Sequence, residues 1–319
     1  MRFTAAFLAA LAFSAGASAQ EQYPSRLVRL VTGGSQGGPV DIAARVVAQR
    51  LSEMWGQPVI VENRTGASEM IAAEIVAKAK PDGYTLLLAG NVVTHNPYIF
   101  PKMPYDPERD FTPVTLMLQS PLALVASAKA PFRSLAELIG TARQRPGQIP
   151  WASAGIGTNN HVAGEQIAAE AGIKVIHTPY KGSQPAANAV IAGDVAYAIV
   201  ALSSALPFAK GGTLKILGVT TEKRTALAPD IPTLAEQGLP GIDGAVRGGL
   251  VGPAGLPESV IAKLNSDVNR ILREPATLER FAILGLEPLG TTPQEYEVSN
   301  KRVAAQVAKI VRQANIKVE

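Results

Sequence analysis

The 319-residue chain has no cysteine and only three histidines, His95, His161 and His177. The first absence excludes disulfides, thiol catalysis, thiolate metal sites and a cysteine-linked lipid anchor. The second leaves too few ligands, with no HExxH spacing, for a metal site. Beyond the N-terminus, no run of ~18 apolar residues is available to span a bilayer. Basic blocks are also missing. Lysine and arginine are scattered and the net charge is only +4, so nucleic acid is a poor partner and only weak steering of acidic small molecules remains. Phosphate-cofactor motifs fail as well. The run Gly33-Gly34-Ser35-Gln36-Gly37-Gly38 lacks the G-x-G-x-x-G spacing, no GxxxxGK[ST] occurs, and no acidic ribose partner follows the next strand. Neither cofactor nor metal is expected.

What is present starts with an export signal. Arg2, the apolar stretch Ala5 to Phe13 and Ala17-Ser18-Ala19 fit a signal peptide over residues 1–19, cleaved near Ala19. The mature chain is therefore expected to be soluble and periplasmic. Its length suggests two domains, and a 47% apolar composition gives it core enough to fold without disulfides.

Two glycine-rich segments stand out. Leu27 to Val31 reads as a buried strand, and Thr32 to Asp41 as a turn and a helix start. Far downstream, Ile149 to Ala152 leads through Ser153-Ala154-Gly155-Ile156-Gly157-Thr158-Asn159-Asn160 into a helix at His161. Glycine turns at helix N-termini leave backbone N–H donors bare, and the helix dipole favours anions there. Either loop could also be a plain tight turn. Two of them at strand ends, on two lobes, suggest a grip on both ends of a small dianion.

Elsewhere helix and strand signals alternate. Val40, Ala43, Ala44, Val47 and Leu51 recur at helical spacing, opposite Arg45, Gln49 and Glu53. Tyr84 to Leu88 is a continuous apolar strand of the kind buried on both faces in a parallel sheet. Gly90-Asn91 then opens a loop at a strand C-terminus, where open α/β sheets bind ligands. Proline-rich text from Pro97 to Pro113 marks a connection. The strands Val114–Met117 and Leu122–Ala126, and later Gly249–Val251, read as crossings between lobes. The expected architecture is α/β with two lobes, a mainly parallel sheet flanked by helices in each. Lobe 1 takes residues 20–121 plus 247–319 and lobe 2 takes 122–246.

Single residues carry competing readings. Trp151-Ala152-Ser153-Ala154-Gly155 sits at a strand-to-helix turn like a nucleophile elbow, which would make a periplasmic serine hydrolase. Trp151 replaces the first glycine of that motif, however, and His161 lies on the following helix and not on a late loop. Ser153 as a donor to bound ligand is the preferred reading. His161 would donate to a carboxylate or be a structural histidine. Lys181 in its loop is either solvated or ligand-facing.

The ordered set of motifs resembles a family. It comprises Gly37-Gly38-Pro39-Val40-Asp41, Val61 to Ala67, Pro81 to Leu87, Pro104 to Pro107, Ser153 to Thr158, Pro179 to Gly182 and Asp230 to Thr233. It is similar to the Bug family, the periplasmic solute-binding proteins of tripartite tricarboxylate transporters. The resemblance implies a Venus-flytrap fold, no catalysis, and delivery of a small organic acid to a permease with one large and one small subunit. The acid would be a di- or tricarboxylate, an aromatic carboxylate or an amino acid, and the receptor a monomer. A membrane sensor as partner would use the same cleft.

Carried over, the first loop is Gly33 to Gly38 with Asp41. The second is Ser153, Gly155, Gly157 and Thr158, with Asn91, Ser203 and Ser204 as further cleft positions. Departures from the family are informative. Gly33-Gly34 stands where Pro-Phe is common. Ser68-Glu69 stands for a glycine pair, Val200-Ala201 for a polar pair, and Arg247 for an aromatic. Arg247 would pair with a distal carboxylate or be solvated. Glu69 would repel a second carboxylate or accept a ligand amine.

Overall fold

The computed structural model describes residues 23–34 and 36–316; the expected signal peptide and Ser35 lie outside the described residues. The chain opens with β1 (Val28–Thr32), α1 (Pro39–Trp55), β2 (Val59–Asn63), α2 (Met70–Ala77) and β3 (Thr85–Ala89). Two single-turn helices, α3 (Asn91–Thr94) and α4 (Asn96–Ile99), precede β4 (Phe111–Ser120). Pro121 alone separates β4 from β5 (Leu122–Ser127). There follow α5 (Leu135–Gln144), β6 (Pro150–Ser153), α6 (Asn159–Ala171), β7 (Ile176–Pro179), α7 (Ser183–Ala192), β8 (Tyr197–Ala201), α8 (Leu202–Lys210) and β9 (Leu214–Val219). The chain then returns through β10 (Val246–Pro253) to α9 (Glu258–Leu272), α10 (Pro275–Ile283), β11 (Glu287–Pro288) and α11 (Pro293–Gln313).

Two sheets result, ordered β11-β4-β10-β3-β1-β2 and β7-β6-β8-β5-β9. Both are mixed, which corrects the expectation of mainly parallel sheets. In the first, β1 pairs parallel with β2 and β3, but β10 returns antiparallel between β3 and β4. In the second, β6 is parallel to β7 and β8, whereas β5 runs antiparallel to β8 and β9. The crossing strands enter each sheet against the direction of its βαβ units, because the chain arrives from the far end.

Burial follows the sequence pattern. On α1, Ala43, Ala44, Val47 and Leu51 are buried while Arg45, Gln49 and Glu53 face out. Gly56, in the left-handed region at φ 64°, ends the helix. Leu86 and Leu88 of β3 pack with α1 and α9, whereas Leu87 and Ala89 pack on the other face with α2 and Tyr296. β5 does the same in the second sheet, with Leu122, Leu124 and Ala126 on one side and Ala123 and Val125 on the other. Each such side chain contributes about 1.5–3 kcal/mol of transfer free energy. A small fifth core joins the halves. Val303, Val307, Ile310 and Val311 of α11 meet Ile99 of α4 and Val162 of α6. Beside it Arg302 reaches Asp243 at 3.0 Å and also Glu222, both in the segment between β9 and β10. The last helix therefore leans on both lobes.

Candidate functional site

The first glycine loop is pinned from beneath by Asp41. Its Oδ2 accepts from the Gly37 N–H at 2.9 Å and from Arg45 Nε at 3.0 Å, and its Oδ1 accepts from Asn63 Nδ2 at 2.8 Å. Burial works against ionisation, but the bonds from Arg45, Gly37 and Asn63 outweigh it and hold the carboxyl below its usual range. Asn63 also donates to the Gly34 carbonyl. Asp41 is only 1% exposed, so the expected ligand contact is in fact a positioning residue. The motif's Asp fixes the turn and leaves Gln36 and Gly37 exposed above it. Asp41→Ala leaves three part-buried donors without their acceptor, and we expect a loss of about 1–3 kcal/mol in urea unfolding, with Asp41→Asn intermediate.

Glu69 stands beside this loop, at the adjoining ends of β1 and β3. A Cβ placed on Gly33 would lie 2.3 Å from Glu69 Cβ, and one on Gly90 would lie 3.4 Å from Glu69 Oε2. Only glycine at position 33 admits this side chain. The segment that delivers it is held in an uncommon conformation: Ala67, Ser68 and Glu69 have φ of 44°, 50° and 71°. Left-handed backbone at consecutive non-glycine residues is costly and persists only where surrounding contacts enforce it. Here Asn96 Nδ2 donates to the Ser68 carbonyl at 2.8 Å, and the Glu69 N–H bonds the Gly66 carbonyl at 2.9 Å. Burial raises the Glu69 carboxyl above its ordinary value.

Between the lobes lies a cavity of about 200 Å³. The first lobe lines it with Ser68, Glu69, Asn91 and Asn96, and with the apolar Ile99 and Phe100. The second lobe contributes Ile156, Gly157 and Thr158. Ser68, Asn91, Gly157 and Thr158 were among the sequence candidates. Asn96, Ile99 and Phe100 were not, because α4 lies within what reads as a proline-rich connection. The first glycine loop reaches the cavity through Glu69. A wider groove of about 680 Å³, at Glu258, Ile261, Asn265 and Gln294, lies away from both glycine loops.

The second loop is pinned by two histidines. Thr158 caps α6 by accepting from the His161 N–H, and His161 Nδ1 accepts from the Gly157 N–H at 3.1 Å. Ser153 Oγ lies 2.7 Å from His177 Nε2 and accepts from the Gly155 N–H at 3.1 Å. The rings of His161 and His177 stack at 3.9 Å, and His177 lies 4.5 Å from the ring of Trp151. Burial lowers all three histidines. His161 falls to about 3, helped by the neighbouring His177; His177 falls to about 4; His95 falls to about 4, helped by the charge of Arg247. Sequence reasoning missed the Ser153–His177 pair, since it rests on strand register: β6 and β7 are parallel with Trp151 opposite His177. Ser153 is 0% exposed. Its hydroxyl lies beneath the loop, bonded to His177 and to the Gly155 N–H.

The remaining expected residues do not line the interlobe cavity. Arg247 is mostly buried, and its guanidinium bonds Asp243 Oδ1 at 2.5 Å. It lines a small pocket of about 10 Å³ with His95, Asn159 and Tyr296 that adjoins the interlobe cavity and shares Asn91 with it. Ser203 packs against Gly285, where an added Cβ would lie 2.3 Å from the serine Cβ. Neither Ser203 nor its neighbour Ser204 lines the interlobe cavity, because α8 turns that segment toward the α10–β11 corner. Lys181 is exposed.

Residues 43–316 match the description "Tripartite tricarboxylate transporter family receptor". The chain belongs to this receptor family. It is similar to Protein BugT of Bordetella pertussis, with 33% identity over 291 residues, covering 91% of this chain and 89% of that protein. Solved relatives include an R. palustris protein with adipate, at 34% identity and TM-score 0.76, covering 93% of this chain and 100% of that one. Another is MatC from Rhodopseudomonas palustris with bound malate, at 31% identity and TM-score 0.71, covering 91% and 100%. As a member of this family, the chain shares the overall fold of these neighbours. Its glycine loops, cleft cavity and α11 brace are the particulars of that scaffold.

Proposed function

We propose that this chain is a periplasmic receptor that captures a small organic carboxylate between its two lobes and passes it to a membrane permease of one large and one small subunit. The observation that carries the reading is the 200 Å³ cavity bounded by Asn91 on one lobe and by Gly157 and Thr158 on the other. Its position at the start of α6 favours a negative charge. Relatives solved with adipate and malate support the same class of guest. On this reading the lobes are residues 20–121 plus 247–319 and residues 122–246, and the receptor acts as a monomer without catalysis. Candidate contacts are Ser68, Asn91, Gly157 and Thr158, with the loop Gly33 to Gly38 closing the first lobe's side.

The energetics are adequate. Hydrogen bonds to a charged group give ~1.5–3 kcal/mol each. Four or five of them, less the cost of association and closure, reach the roughly −8 kcal/mol of a micromolar Kd. A ligand at ~100 times its Kd adds ~2.7 kcal/mol of stability, which raises Tm by several degrees. A thermal-shift screen of mono-, di- and tricarboxylates, amino acids and aromatic acids tests this. A shift with an acid is the expected result; shifts only with neutral compounds reject the proposal.

A further inference from the structure

Among the described residues, Glu69 is the only charged one lining the interlobe cavity. Its side chain crosses the adjoining ends of β1 and β3, lying against Gly33 and within 3.4 Å of the Cβ position of Gly90. Among the described residues no cation pairs with its carboxyl and no donor hydrogen-bonds to it. Three consecutive left-handed residues are needed to deliver it. Glycine would adopt those dihedrals at no steric cost, so a charged side chain is being kept at the expense of stability, the pattern expected of a functional position. At the opposite wall, Gly157 and Thr158 open α6, whose N-terminal end favours an anion. Ile99, Phe100 and Ile156 supply apolar walls between the two ends.

We infer that Glu69 is the specificity-determining residue of this cleft, selecting an acid that also carries a protonated nitrogen: the ligand's carboxylate faces the start of α6 and its ammonium group pairs with Glu69. The inference rests on the carboxylate-receptor reading and narrows it from organic acids in general to amino acids. A dicarboxylate would place its second negative charge against the unpaired Glu69 carboxyl inside a half-buried cleft, where like charges repel strongly. Burial disfavours the charged Glu69 carboxylate, a cost that a cationic partner would offset.

The test uses the full mature chain and matched acids in which an ammonium group replaces one carboxylate: β-alanine against succinate, γ-aminobutyrate against glutarate, δ-aminovalerate against adipate, together with the common α-amino acids. Calorimetric titration at neutral pH should show the wild type binding at least one amino acid about tenfold or more tighter than any of the diacids, a difference of ~1.4 kcal/mol. Glu69→Gln and Glu69→Gly should abolish that preference. The glycine variant is at ease in the left-handed backbone, so its far-UV spectrum and melting curve should show an intact fold. If the wild type prefers the diacids, or if both variants leave the preference within about twofold, the assignment of Glu69 is overturned while the receptor reading stands. If no acid of either kind binds wild type or variants, the assignment of Glu69 is likewise overturned, and the receptor reading falls only if the thermal-shift screen of all acid classes also shows no acid binding.

Discussion

Lowering the pH from about 7 to about 5 should cost this protein at most about 6 kcal/mol of stability, before any offset from buried carboxyls, and lower its Tm by several degrees. The cause is that all three histidines are held neutral by burial, His161 to about 3 and His95 and His177 to about 4. An unfolded histidine takes up its proton near pH ~6.5. Between that value and the folded ones the unfolded chain binds more protons, so stability falls as the solution becomes more acid. Each histidine contributes about 2 kcal/mol between pH ~7 and ~5. Glu69 and Glu165, both raised by burial, act in the opposite sense and offset part of the loss at the acid end. Glu165 Oε1 lies 3.8 Å from His161 Nε2. Scanning calorimetry of the ligand-free protein at the two pH values checks this. His161→Asn keeps an acceptor near the Gly157 N–H without a titrating ring and should flatten the dependence by about a third. Equal melting temperatures at both pH values would refute the argument. Ligand affinity should hold over the same range, because His161 stays neutral in the folded protein and its Nδ1 still accepts from Gly157.

Trp151→Ala is expected to cost about 3–5 kcal/mol. Trp151 is wholly buried, lies beneath His177, and stacks at 6.0 Å with the equally buried Tyr197. Gly164 of α6 makes the fit possible: a Cβ there would come within 2.0 Å of the indole. Removing the ring leaves His177 and His161 without a floor, so the second loop should loosen together with the core. Gly164→Ala should cost about 1–3 kcal/mol by overpacking, and combining the two changes should cost less than their sum, since each relieves the other. Urea unfolding of the two single variants and the double measures this directly. Strict additivity would show that the helix and the indole are not in the contact described.

Much of this was legible in the sequence. The period of α1, the doubly buried β3, both glycine loops and the helix stops at Gly56, Gly172 and Gly193 follow from local pattern and turn chemistry. Strand direction did not, because a run such as Gly248-Gly249-Leu250-Val251 looks the same whichever way it enters a sheet. Ser203 and Ser204 were carried over to the cleft from the family resemblance, and where α8 places them depends on the tertiary path. Pairings across register, such as Ser153 with His177, and ion pairs such as Arg247 with Asp243 depend on the tertiary path. Glu69 was visible only as a departure from a glycine pair; its place against Gly33 needed three dimensions.

The brace formed by α11 has a mechanical consequence. Spreading the cleft means sliding Val162 and Ile99 away from the row Val303, Val307 and Ile310, and parting Arg302 from Asp243 and Glu222. The rate at which a captured guest escapes is then governed partly by the chain's final helix, remote from the atoms that recognise the guest. Polar substitutions along that row would speed release while leaving the recognition surface itself untouched.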